Sequence, residues 1–192
     1  MRVCIYCASS SKIDESYFIA TEQLAMELAR ENIEVVYGGG AYGLMGKLAD
    51  VMLENGGKIK GIMPKFMNEI EWAHRKVEDF EFVDTMHERK AKFLENIDGI
   101  ICLAGGTGTL EELLEAITLK KLGIFNKPIV ILNTNGYYKP LMEMLEKCVQ
   151  ENFMDPRHLD IYTFVEHPGE VLKNIRHPKP WDMDSIKFAA VR

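Results

Sequence analysis

Seven short apolar runs, at residues 2–7, 33–37, 59–63, 80–83, 99–103, 128–132 and 161–164, alternate along the chain with segments of helical period. That alternation limits the fold more than any other feature. A β-α-β-α order closes into a parallel sheet whose crossover helices pack on its faces. Most of the runs are rich in Val and Ile and do not alternate with polar residues, as expected of strands covered on both sides. Helices are predicted over 17–31, 44–54, 86–97, 109–122 and 138–151. The first is marked by Phe18, Leu24 and Leu28, and the fourth by Leu110, Leu113, Leu114 and Ile117. The expected architecture is an α/β open parallel sheet flanked by helices on both faces. It forms a single domain over 1–192, with 178–192 as a surface tail and 64–79 as an irregular excursion of the kind that often forms a binding loop.

A chain of 192 residues, 47% of them hydrophobic, can bury about 70% of its unfolded surface, so it needs no disulfide or metal to hold a core. Cys4 and Cys7 have the spacing C-x-x-C. Residues three apart in a strand point to opposite faces, so these thiols are read as structural rather than as a redox or metal pair. The 11 methionines are read as core filler. A net charge of −6 opposes a broad grip on nucleic acid or an anionic membrane surface. The first apolar run is too short for a signal-peptide core, and no later run nears the ~20 residues of a membrane span. The expectation is a cytoplasmic protein with a small ligand.

In an open parallel sheet ligands bind beyond the carboxyl ends of the strands, so the residues after each apolar run carry the chemistry. The loop Gly38-Gly39-Gly40-Ala41-Tyr42-Gly43 follows a strand, opens a helix and matches G-x-G-x-x-G, a spacing that brings backbone N–H groups to a phosphate. An NAD site would place an acidic residue about 20 positions on. Here the next strand carries Lys58 and Lys60, which weakens that reading. A Walker loop fails too, because Gly46-Lys47 is followed by Leu48 and preceded, five residues earlier, by Ala41. The plainer reading of the same glycines is a tight strand-to-helix turn.

The second loop, Ala104-Gly105-Gly106-Thr107-Gly108-Thr109-Leu110-Glu111-Glu112, follows its glycines with two carboxylates, expected in the first helical turn. Open N–H groups favour an anion there, whereas a nearby carboxylate repels one by about 1 to 4 kcal/mol. Phosphate and carboxylate must therefore address different ends of one ligand. A carboxylate beside a bound sugar phosphate suits glycosidic chemistry. The alternative is that both acids only favour the helix dipole. Met86-His87-Glu88-Arg89-Lys90 adds a guanidinium fork and a lysine just before the strand that feeds this loop, unless the pair is simply a solvated surface pair. His87-Glu88 lacks the second histidine of H-E-x-x-H, because Ala91 stands there, and no catalytic metal is expected.

On these residues the chain resembles the LOG ("lonely guy") family, cytokinin riboside 5'-monophosphate phosphoribohydrolases, whose members have often been labelled lysine decarboxylases. The similarity extends from Val3-Cys4-Ile5-Tyr6-Cys7-Ala8-Ser9-Ser10 through Gly43-Leu44-Met45-Gly46 to Gly136-Tyr137-Tyr138. The resemblance implies a Rossmann-like homodimer, without cofactor, that hydrolyses the N-glycosidic bond of a purine nucleoside 5'-monophosphate, either cytokinin riboside 5'-monophosphate or AMP. Glu112 would be the catalytic carboxylate and Arg89 its catalytic partner. Glu71, Lys90, Gly106, Thr107, Gly108, Thr109, Leu110, Glu111 and Thr118 would bind substrate. Amides of both glycine loops, including Gly39, Gly40 and Gly43, would hold the 5'-phosphate. The chain departs from the family at Ala8, Ala104, Thr107 and Leu119, where Gly, Pro, an aromatic and Trp are usual. Two other readings stand beside it: a carrier that binds a nucleotide or phosphate-bearing cofactor without cleaving it, and pyridoxal-phosphate decarboxylation, which would need a Schiff-base lysine.

Overall fold

The structure, a computed structural model, describes residues 1–68, 72–182 and 184–190. Seven parallel strands form one sheet in the order β4-β3-β2-β1-β5-β6-β7. They are β1 (Arg2–Tyr6), β2 (Glu34–Tyr37), β3 (Ile59–Pro64), β4 (Asp79–Val83), β5 (Gly99–Cys102), β6 (Ile129–Leu132) and β7 (Thr163–Val165). The helices are α1 (Glu15–Arg30), α2 (Gly43–Glu54), α3 (Met86–Phe93), α4 (Thr107–Lys121), α5 (Lys139–Gln150) and α6 (Val171–Arg176).

Both faces of the sheet are covered, which is why the strands read as unbroken apolar runs. Val3 and Ile5 of β1 join Leu24 and Leu28 of α1, Leu48 and Met52 of α2 and Ile175 of α6 in one cluster. Cys4 and Tyr6 point the other way, into a second cluster with Phe93 of α3, Leu113 and Ile117 of α4 and Leu145 of α5. Cys4 and Cys7 thus fall in different clusters, as the strand reading requires.

The chain winds outward from β1 through β2 and β3 to β4, then returns to β5 on the other side of β1 and winds outward again. At the β1/β5 boundary the connections diverge to opposite faces, and this opens a crevice at the carboxyl ends of the two strands.

Several element boundaries differ from the sequence reading. The helix expected to reach residue 97 ends at Phe93, and Asn96 turns the chain with φ +54°. The last strand begins two residues later and ends one residue later than expected, and α6, absent from the sequence reading, has only six residues, too few for a legible period. In the C-terminal segment, Trp181 Nε1 and Ser185 Oγ donate to the Lys120 carbonyl at the end of α4 (3.3 and 3.2 Å), and Phe188 stacks on His158. Among the described residues no helix is long and apolar enough to cross a membrane.

Candidate active site

Arg89 reaches the crevice because Glu88 fixes where α3 begins. Thr85 Oγ1 accepts from the Glu88 amide (3.1 Å), and Glu88 Oε2 accepts from the amides of Thr85 (3.3 Å) and Asp84 (2.8 Å), a reciprocal cap that sets the helix phase. The next residue then points inward under the sheet edge. Arg89 is only 5% exposed. Its Nε donates to the Ile62 carbonyl on β3 (3.1 Å), its Nη2 donates to the Gly38 carbonyl after β2 (3.2 Å), and its guanidinium lies 5.0 Å from the Phe93 ring. Two carbonyls and an aromatic face offset part of the cost of burying this cation.

The remaining nitrogen, Nη1, stands 3.7 Å from Glu112 Oε1, and the Glu112 side chain is 12% exposed. Helix α4 begins at Thr107 with Gly106 as its N-cap, so Glu111 and Glu112 lie in the second turn, not the first as expected. The Thr-Gly-Thr triplet is itself the opening turn. One step along the helix rotates the side chain by about 100°. Glu112 therefore faces the crevice, while Glu111 faces outward and binds Lys90 Nζ at 2.6 Å. Lys90 also pairs with Glu115 at 3.2 Å, and these carboxylates raise its pKa.

A cavity of about 300 Å³ lies over this pair, lined by Tyr6, Cys7, Ala8, Ser9, Ser10, Gly38, Arg89, Gly106, Thr107, Gly108, Thr109 and Glu112, among others. Leu110, Glu111 and Thr118 line a separate groove on the outer face of α4 with Leu114 and Leu119, and Thr107 belongs to both surfaces. Lys90 is not among the cavity's lining residues and instead braces the acidic edge of that groove.

Gly39, Gly40 and Gly43 were expected to hold a phosphate, but they are not among the cavity's lining residues either. The amides at the start of α2 already have acceptors: Gly43 donates to Ser11 Oγ, and Leu44 and Met45 donate to the Ala8 carbonyl. Gly43 adopts φ +61°, and a Cβ there would lie 2.5 Å from the Ser9 carbonyl carbon. At Gly43 the first glycine loop thus serves close packing. Gly38 is the member that serves the site, since a Cβ on it would stand 2.4 Å from Arg89 Nη2.

The start of α4 differs. Among the described residues no acceptor is bound to the amides of Thr107, Gly108 and Thr109, so the helix presents open N–H groups and its positive end to the cavity. The cavity combines an anion cradle at one wall with a fixed guanidinium and a carboxylate at the other. That pairing suits a substrate with a phosphate at one end and a bond that separates charge at the other.

Glu71 lies outside the described residues. Sequence reasoning left out Gly38, Tyr6, Ser9 and Ser10 as site residues, although their places just after β1 and β2 were the available signal. Among the described residues no group of three or more His, Cys, Asp or Glu is placed to hold a metal ion. Among the described residues no lysine lines the cavity to offer a Schiff-base cofactor an attachment point.

A family model described as "Possible lysine decarboxylase" matches residues 45–175. The chain is 37% identical to cytokinin riboside 5'-monophosphate phosphoribohydrolase LOG3 of Arabidopsis thaliana, over 98% of this chain and 93% of that protein. It is also 37% identical to probable cytokinin riboside 5'-monophosphate phosphoribohydrolase LOGL6 of Oryza sativa subsp. japonica, over 97% and 79% of the two chains. Among solved structures, the molybdenum cofactor carrier protein of Chlamydomonas reinhardtii superposes with a TM-score of 0.69 at 14% identity, covering 91% of this chain and 95% of that one. At that identity the likeness speaks for the fold alone.

Proposed function

The chain belongs to the LOG family of cytokinin riboside 5'-monophosphate phosphoribohydrolases, and we propose that it hydrolyses the N-glycosidic bond of a purine nucleoside 5'-monophosphate to free base and ribose 5-phosphate. One observation carries the reading: a buried, carbonyl-fixed Arg89 faces Glu112 across 3.7 Å on the wall of a cavity whose other wall is the open start of α4.

The 5'-phosphate sits against the amides of Thr107, Gly108 and Thr109, with the hydroxyls of Ser9 and Ser10 at hand. The ribose then spans the cavity toward Glu112. As the bond from the anomeric carbon to the purine nitrogen breaks, its electron pair leaves with the base. Arg89 donates a hydrogen bond to the departing purine and stabilises that charge. The Glu112 carboxylate stabilises the cationic sugar and orients a water whose oxygen bonds to the anomeric carbon. The proton released by that water ends on the purine.

The groove lined by Leu110, Glu111, Thr118 and Leu119 shares Thr107 with the cavity and offers an apolar surface for a substituent on the base. It supports a prenylated purine beside plain AMP as substrate. The reading extends to a cytoplasmic homodimer, and the buried thiols Cys4 and Cys102 suit a reducing compartment. Light scattering in solution tests the dimer.

Incubating the purified protein with AMP and with prenylated AMP, then separating free base by chromatography, tests the activity. Release of base and ribose 5-phosphate is expected. Binding without release would favour a carrier instead.

A further inference from the structure

Tyr137 and Tyr138 sit outside the cavity, after β6, yet their hydroxyls reach the second glycine loop. Tyr138 donates to the Leu103 carbonyl at 2.7 Å, and Tyr137 donates to the Gly105 carbonyl at 2.6 Å. The carbonyl between them, on Ala104, accepts from the Ala8 amide at 3.1 Å. Three successive carbonyls entering the anion cradle are therefore held by groups that follow β1 and β6. We propose that Tyr137 is a positioning residue for phosphate: by holding the Gly105 carbonyl away from the cavity, it keeps the Gly106 amide and the first turn of α4 turned toward the 5'-phosphate. This rests on the reading of α4 as the phosphate end of the site.

The argument is one of peptide geometry. In a trans peptide the C=O of one residue and the N–H of the next point in opposite directions. Fixing the Gly105 carbonyl therefore fixes the Gly106 amide, which is at the cavity wall. Gly105 has no side chain to resist rotation, and a Cβ there would stand 2.2 Å from Thr109 Oγ1, so the loop cannot gain rigidity from a bulkier residue. The restraint has to come from outside, and the clamp is itself held. Tyr137 packs edge-on against Tyr17 and Tyr138, with centroids at 6.0 and 5.0 Å. The Tyr138 amide donates to Asn133 Oδ1 at 2.7 Å, and the Asn133 amide donates to the Val165 carbonyl on β7 at 2.8 Å. A freed Gly105 carbonyl could swing its negative end toward a bound anion.

The test is Tyr137→Phe in the full chain, which removes one oxygen from a partly exposed ring. Inorganic phosphate binding is measured by titration calorimetry, and AMP turnover by base release. The expected result is a threefold to tenfold weaker phosphate affinity, with KM for AMP raised by about the same factor, kcat within about twofold and the melting temperature retained. Unchanged phosphate affinity, or a fall in kcat at constant KM, would overturn the proposal, as would a wild-type protein that binds no phosphate. If wild type binds phosphate but releases no purine, the hydrolase reading fails while the titration still judges the clamp. Should Tyr137→Phe melt early, the Gly106 amide resonance of Tyr137→Leu, which has no side-chain donor, decides during phosphate titration: a shift as large as in wild type counts against the clamp, and a diminished one supports it.

Discussion

Arg89 Nη1 lies 3.7 Å from Glu112 Oε1, joining two helices that pack on the same face of the sheet and approach the carboxyl ends of β1 and β5 from either side. The distance exceeds that of a direct hydrogen bond but lies within ion-pair range, so the two charges face each other on the cavity wall. Arg89 does not depend on Glu112 for its orientation, because the carbonyls of Ile62 and Gly38 fix it.

Glu112→Gln should therefore keep the fold and the arginine in place while removing the charge that stabilises the sugar cation. We expect kcat for purine release to fall by about 10² to 10⁴, with a circular-dichroism spectrum like that of wild type. Arg89→Ala should fall by a similar factor. Base release from AMP at the unmodified rate in either variant would disprove the assigned roles.

Gly38→Ala should act through Arg89. A methyl group at 38 would sit 2.4 Å from Nη2 and 2.9 Å from Met45 Sδ, so the guanidinium must leave the Gly38 carbonyl. A loss of about 10- to 100-fold in kcat/KM is expected. The Gly38→Ala/Arg89→Ala double variant should be no slower than Arg89→Ala alone, because both changes remove the same contact. Additive losses would show that Gly38 acts elsewhere.

Gly43→Ala tests the packing role of the first glycine loop. Its φ is +61°, and an added Cβ would lie 2.5 to 2.7 Å from the Ser9 and Ser10 backbone, which leaves no space for a methyl group. Denaturant unfolding should report a loss of about 1–3 kcal/mol, more than a surface Gly→Ala change gives. Gly108→Ala, where a Cβ meets nothing within 4 Å, is the matched control.

Lys120 is buried, 3% exposed, and burial lowers its pKa to about 8. The unfolded chain holds this proton up to about pH 10.4, so the folded state carries the full cost of the buried cation below pH 8 and loses it as pH rises from 8 toward 10.4. Lys120→Met should be more stable than wild type by up to about 3 kcal/mol at pH 7, a gain that shrinks toward pH 10. Paired denaturation curves at pH 7 and pH 10 check this; equal gains at both would contradict it. The comparison must be with wild type at each pH, because Cys102, raised to about 12 by burial, works against the folded state above pH 9.

What the sequence by itself determined was local. Unalternating Val/Ile runs separated by helical period called for a parallel sheet buried on both faces, and the residues after those runs were marked as the place for chemistry. Arg89, Glu112 and the Gly106–Thr109 turn were all legible there, because residue type and loop position suffice to nominate them. What only the tertiary structure decided was how they are assembled. Strand order makes β1 and β5 neighbours, so the loop of Ser9 and Ser10 meets the loop of Gly106. Helix phase separates Glu112 from Glu111 and sends Lys90 outward. The Ala8 carbonyl occupies the amides of Leu44 and Met45 at the start of α2, whereas the first amides of α4 stay open to an anion. No spacing rule carries that information, because an N–H group binds phosphate only if nothing nearer in space has claimed it, and nearness in space is set by packing across the whole sheet.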